Sequence, residues 1–193
     1  MYLPKDVFEY LLVGHPSPGM FALIKQEKKL FTEKYNQAIA YKTSPHITIA
    51  NFLSIEGAET TFNRLLQNIC SLTTCFPVTL DGYSGFPSHT IYLRVKNQLP
   101  FQQLAKQLKP VADIMRSSGC PPFKIINKAH LTIARGLPED VYAKAMADYS
   151  QKTFHESFML DELILLRRQY QFDACKTIQV FRLRPADSNL LVM

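Results

Sequence analysis

The chain has 193 residues, 47% hydrophobic and 20% charged, which suits one compact domain and excludes a disordered chain. A net charge of +6 makes a polyanion an acceptable partner without requiring one. No run of eighteen apolar residues occurs, and Lys5, Asp6 and Glu9 interrupt the start where a secretory leader would be apolar; the expectation is a cytoplasmic protein with no membrane attachment.

In chain order, residues 7–13 read as a strand, and residues 19–37 carry apolar side chains at helical spacing. Residues 41–53 read as a further strand. Ser54 then reads as the N-cap of a helix with Phe62, Leu65, Leu66 and Ile69 on one face. Residues 76–86 and 89–95 form a predicted hairpin, closed by a turn rich in Gly, Pro and Ser. Residues 99–119 are helical in pattern, with Pro100 in the first turn, a kink expected at Pro110 and a stop at Gly119. A strand is predicted over about 123–135, and Pro138, Glu139 and Asp140 open a helix that runs to Gln151. Strand patterns at 156–168 and 177–183 close the chain around a loop at 168–176. Strand, helix, strand, helix, strand thus occurs twice, which predicts an internal duplication and two lobes within one domain spanning residues 1–193. Cys70, Cys75, Cys120 and Cys175 have neither CxxC nor metal-ligand spacing and read as reduced thiols.

The halves share one short text. SPHITIA, Ser44 to Ala50, and KAHLTIA, Lys128 to Ala134, both give His, an apolar residue, Thr, Ile and Ala. Five histidines and twelve threonines would produce roughly 0.3 His-x-Thr triplets by chance, so two copies with the same Ile-Ala sequel are a pattern. Strand alternation puts His46, Thr48 and Ala50 on one face against Ile47 and Ile49, and His130, Thr132 and Ala134 against Leu131 and Ile133. Each motif would present an imidazole beside a hydroxyl, with the small Ala leaving room for a ligand. Two imidazoles suit displacement at a phosphodiester. With an unperturbed pKa of ~6.5, one accepts a proton from water while the other donates to the leaving oxygen. The hydroxyls can hold the nonbridging oxygens.

HITI and HLTI, 84 positions apart, resemble the paired signature of the 2H phosphoesterase superfamily, in particular the branch of 2′,5′ RNA ligases or RNA 2′,3′-cyclic phosphodiesterases. The resemblance implies an α+β, bilobal, pseudo-two-fold fold, with two antiparallel sheets flanking a central cleft and helices packed outside. It implies catalytic roles for His46, Thr48, His130 and Thr132. The activity implied is metal-independent opening of 2′,3′-cyclic phosphates of RNA ends or nucleotides to 2′-phosphates, reversible as 2′,5′ ligation in some members. The expected partner is RNA or a nucleotide carrying that cyclic phosphate, with no cofactor, and the protein is expected to be a monomer. Members of the RNA type often carry a basic residue soon after the second motif, where Arg135 stands. Alternation turns Arg135 away from His130 unless the strand ends or bulges there. Lys128 shares the motif face and could meet a phosphate.

Among aromatic residues, Phe86 and Tyr170 sit in segments with turn signals and are the candidates to stack a base; Tyr41, Tyr92 and Phe123 read as core. Only one of Arg167 and Arg168 can face the cleft. His89 reads as a turn histidine, and His15 and His155 have no partner pattern. No third metal ligand stands near either motif, and no serine elbow, phosphate-cradling Gly loop or dinucleotide fingerprint occurs, so ATP is not expected. Two further readings stay open: a groove that binds RNA or a phosphorylated ligand without turnover, and a hydrolase of a non-RNA cyclic diester.

Overall fold

A computed structural model describes residues 6–87, 89–117, 123–169 and 173–186. The described chain runs β1 (Val7–Gly14), α1 (Pro18–Tyr35), α2 (Ala38–Lys42), β2 (Ile47–Ile55), α3 (Glu59–Leu72), β3 (Phe76–Phe86), β4 (Thr90–Val95), α4 (Leu99–Ser117), β5 (Lys124–Ile125), β6 (His130–Ala134), α5 (Glu139–Ser150), β7 (His155–Leu160), β8 (Glu162–Arg168) and β9 (Lys176–Arg182). The strands follow the order β7-β3-β4-β6-β2-β1-β8-β9, with β5 set against β2, and every pairing between these strands is antiparallel.

The two motif strands lie side by side at the centre of this order. They are bridged at Ile47 and Leu131, the residues that follow the two histidines. The described strands form one nine-stranded sheet, and its halves β7-β3-β4-β6 and β2-β1-β8-β9, expected as two antiparallel sheets, are joined there. Each motif strand thus separates its own half from the other, and the histidines flank the seam.

Several elements differ from the sequence reading for local reasons. Helix α1 begins with Pro18 in its first turn and ends at Tyr35 because Asn36 adopts a left-handed backbone, φ 54°, which a helix cannot continue. Tyr41 belongs to α2, so β2 starts six residues later than expected. Ser54 is not an N-cap: it is buried inside β2, opposite Phe8, because β1 extends the ladder to Val7 and Ile55. Cross-strand pairing outweighs a local capping preference there. Helix α4 runs through Pro110, and the predicted stop at Gly119 lies outside the described residues. The predicted strand over 123–135 is two pieces. Between the pairs Ala50–Ile125 and Ile47–Leu131, residues 126–130 stand opposite only Thr48 and Ile49, so the chain loops out just before His130.

Aromatic packing fixes both halves. Beneath the first, Tyr10 stacks on Phe52 at 5.3 Å, Phe52 on Phe123 at 4.5 Å, and Phe62 of α3 meets both Tyr10 and Phe52 edge-on. All four rings are buried, and Phe62→Ala would cost about 3–5 kcal/mol. On the other side, Phe31 and Tyr35 of α1 pack on Tyr149 of α5, and the Tyr35 hydroxyl donates to Asp148 at 2.5 Å. Helix α1 therefore belongs by sequence to the first half yet packs on an element of the second. It contacts β6 as well, which brings its inner face under the seam.

Candidate functional site

A cleft of about 700 Å³ opens over the seam, and His46, Thr48, His130 and Thr132 all line it. The two motifs match position by position. In both, the histidine and threonine are half-buried while the three remaining residues are buried. Each imidazole is held by the backbone two residues upstream: His46 Nδ1 lies 2.8 Å from the Ser44 carbonyl, and His130 Nδ1 lies 2.8 Å from the Lys128 carbonyl. A carbonyl oxygen only accepts, so Nδ1 is the donor in both rings and Nε2 is left for chemistry. Among the described residues neither threonine hydroxyl has a hydrogen-bond partner, so both remain available to a ligand.

Both strands also bulge at the same place. Leu12 pairs with Ala50 and Val13 with Thr48, so Ile49 is the extra residue; Ile91 pairs with Ala134 and Tyr92 with Thr132, so Ile133 is its counterpart. A bulge resets the alternation of the residues that follow. Ala50 and Ala134 accordingly turn into the core, at 0% and 2% exposure, which corrects the expectation that they leave room beside the histidines. Asn51 and Arg135, which strict alternation would turn away, line the cleft instead. Arg135 is thus brought to His46 and His130 by a feature that the sequence text does not display.

The surroundings of the two histidines differ. His46 stands among cations. Burial lowers its pKa to about 4, against the pull of the Ser44 carbonyl, and the charges of Lys28, His15 and Arg135 push the same way. Lys28, on the inner face of α1, is only 1% exposed and donates to the Thr43 carbonyl at 3.1 Å and hydroxyl at 2.7 Å. Burial first, then the charges of Lys25 and Arg135, lowers its pKa to about 7. The cleft continues past His46 and Arg135 into a second hollow of about 710 Å³ that also reaches His15, Lys42 and Cys175. One wall is set by Glu9, which accepts from Asn51 at 2.6 Å and from Arg168 at 2.5 Å. Arg168 faces the cleft, whereas Arg167 turns to Glu56 and Glu59, as alternation requires.

His130 stands among rings. Phe86 meets it edge-on at 4.9 Å and Tyr92 does so at 5.1 Å, while Phe86 stacks on Tyr92 at 4.3 Å. Phe86 lines the cleft, and Tyr92, 1% exposed, lies beneath it. Burial also lowers the pKa of His130, and the Lys128 charge adds to it. Lys128 is exposed at the rim, its ammonium 5.8 Å from the Phe86 ring centre, and does not line the cleft. Gln98 steadies the looped-out segment, donating to the Ala129 carbonyl at 3.0 Å and accepting from the Ala129 amide at 2.8 Å.

Tyr170 lies outside the described residues. Tyr41 sits under Lys25 away from the cleft lining, Phe123 is core, and His89 stacks on Tyr142 with its Nδ1 at the Leu137 carbonyl. Sequence reasoning missed Gln98, Glu9 and Lys28. For Lys28 a signal existed: it occupies a core position in a helical stripe. Among the described residues no three His, Cys, Asp or Glu side chains gather as a metal set would, and no helix is long and apolar enough to cross a membrane.

Comparison with known proteins places these features in a family. The sequence model of the 2′-5′ RNA ligase superfamily matches residues 18–171. No curated protein matches the sequence. Among solved structures, E. coli LigT complexed with 3′-AMP superposes with a TM-score of 0.67 at 17% identity, covering 92% of this chain and 99% of that one. TT0787 of Thermus thermophilus gives 0.60 at 14%, covering 92% and 98%. Kluyveromyces marxianus Usb1 gives 0.51 at 15%, covering 93% and 99%.

Proposed function

The chain belongs to the 2′-5′ RNA ligase superfamily, the 2H phosphoesterases, and on that premise we propose that it opens 2′,3′-cyclic phosphates at RNA ends or on nucleotides. One observation carries the reading. Two imidazoles, anchored alike through Nδ1, face one cleft together with two unpartnered threonine hydroxyls and a guanidinium.

The proton traffic follows from the difference between the two sides. His46, kept neutral by burial and by cations, takes a proton from water as the water oxygen bonds to phosphorus. His130 donates a proton to the ribose 3′ oxygen as its bond to phosphorus breaks. The product is a 2′-phosphate, with His46 protonated and His130 neutral; exchange with solvent restores both. Thr48, Thr132 and Arg135 hold the nonbridging oxygens, where charge grows in the transition state. Phe86 offers a face to the base of the nucleotide whose ribose oxygen departs, beside the histidine that protonates it. With the 5′-hydroxyl of a second strand in place of water, the same displacement forms an O5′–P bond as the 3′ oxygen leaves; this is a 2′,5′ ligation and needs no ATP. The mechanism asks nothing of a metal: the one carboxylate among the described residues of the cleft lining, Glu9, is already engaged by Asn51 and Arg168.

The test is hydrolysis, in EDTA, of 2′,3′-cyclic AMP and of an RNA oligomer ending in a 2′,3′-cyclic phosphate, with the phosphate position read by chromatography. Turnover to a 2′-phosphate is expected. Binding of both compounds without product over hours would leave a binding groove; turnover of neither while another cyclic diester is opened would move the substrate class.

A further inference from the structure

The buried stripe of α1 reads Met20, Ile24, Lys28, Phe31, Tyr35, a spacing of four, four, three and four that keeps one face of a helix inward. Four of these are ordinary core residues. The fifth ends in an amine 1% exposed, and holding it charged there is costly unless an anion meets it. Among the described residues none does. Its two hydrogen bonds go to the neutral oxygens of Thr43, no carboxylate forms an ion pair with it, and its charged neighbours are Lys25 and Arg135. It has a third donor to spare, and it lines the cleft beside His46. A lysine held in an apolar stripe, short of an anion and facing a cleft is built to receive one.

We propose that Lys28 is a phosphate-binding residue of this cleft, and that its charge, added to burial, biases His46 rather than His130 toward the role of proton acceptor. The inference rests on the two-histidine reading above and names the group that breaks its symmetry. Phosphate oxygens entering between the motifs would meet Lys28 and Arg135 on the His46 side and the hydroxyls of Thr48 and Thr132. The charges that act on His46 are those of Lys28 from α1 and Arg135 after β6, with His15, whose own pKa burial lowers, beyond β1; of the carboxylates lining the cleft and the adjoining hollow, Glu9 is held by Arg168 and Asn51, and Asp173 lines the hollow. The charge that shifts His130 is that of Lys128, exposed at the rim and screened by water.

Lys28→Met tests this without relying on turnover. Methionine restores the apolar stripe at nearly the same length, so the variant should fold and melt no lower than wild type. Two quantities are read: the affinity for inorganic phosphate by calorimetry, and the titration of the His46 and His130 rings by NMR. The expected result is a phosphate affinity at least ~10-fold weaker, the loss of one charge-assisted hydrogen bond. The His46 midpoint should rise toward that of His130 while His130 stays where it was. Phosphate affinity unchanged in Lys28→Met, or a His46 midpoint that does not move, would overturn the proposal. Because both readouts use the resting protein, they remain decisive if the cyclic diester assay fails, so the two readings fail separately.

Discussion

Two copies of one pentapeptide, folded onto neighbouring strands, carry the same burial, the same Nδ1 anchor and the same bulge, yet end in opposite surroundings. His46 has a buried lysine and a guanidinium for neighbours; His130 has two stacked rings. Backbone symmetry brings two equivalent groups to one cleft, and what other elements contribute makes them unequal. Helix α1 supplies the cation on one side, and the β3–β4 hairpin supplies the rings on the other. A reaction that needs one proton acceptor and one donor requires this combination.

The sharpest way to break the comparison is to remove each imidazole. His46→Ala and His130→Ala should each lower kcat by about 10²–10⁴-fold, with the double variant far less impaired than the product of the two, because the groups act in one event. Dependence on pH separates their roles. His46 as base must be neutral, so kcat/KM climbs through its pKa of about 4. His130 as acid must be protonated, and its pKa is also lowered, so kcat/KM falls as pH rises through a value under the ordinary ~6.5. The optimum of kcat/KM should therefore lie on the acid side of ~6.5. A plateau reaching pH ~9 with chemistry rate-limiting would refute the assignment.

The bulges give the next contrast. Arg135 and Asn51 occupy matching places after the two motifs, and both reach the cleft. Arg135→Met should reduce kcat/KM by about 10–100-fold, the worth of a charge-assisted phosphate contact. Asn51→Ala should reduce it by less than ~3-fold, since Asn51 is engaged with Glu9. Equal losses at the two positions would mean that the phosphate lies symmetrically, and the cationic side would lose its meaning.

Phe86 probes the other side. Phe86→Ala should raise KM for a cyclic nucleotide by about 5–100-fold, the range for a lost base stack, while Phe86→Tyr should stay near wild type. KM unchanged in Phe86→Ala would place the base elsewhere, and with it the polarity of the displacement.

The sequence made the histidine pair legible because it was written twice and because alternation then dictated which residues faced together. The seam was not legible: that Ile47 meets Leu131 depends on strands 84 positions apart. Nor were the bulges, since register belongs to the partner strand as much as to the motif; alternation alone sent Arg135 the wrong way and Ala50 and Ala134 into the cleft. Ser54 misled for the same reason in reverse, a good capping residue captured by a ladder that β1 prolongs. Lys28 was readable in principle. It breaks an apolar stripe that the helical period had already drawn, and a charge inside such a stripe is the kind of local conflict that marks a functional position.

Glu9 provides the smallest test and isolates the frame of the cationic side from its chemistry. Burial alone would raise its pKa, but the hydrogen bonds from Arg168 and Asn51, helped by the charges of Arg168 and Arg135, hold it below the ordinary carboxylate value. A carboxylate whose pKa is lower in the folded than in the unfolded chain contributes stability above the unfolded value, and loses it as pH falls through the folded one. Glu9→Gln should therefore cost about 1 kcal/mol at pH ~7, with the gap to wild type closing as pH drops below ~4. Denaturant melts of both proteins across that range would check it. Since Arg168 would lose its Glu9 ion pair in a cleft already rich in cations, the variant should also bind inorganic phosphate at least as tightly as wild type. Weaker binding would mean that Arg168 must be held by Glu9 to serve the anion, and the wall would then be part of the site and not merely its support.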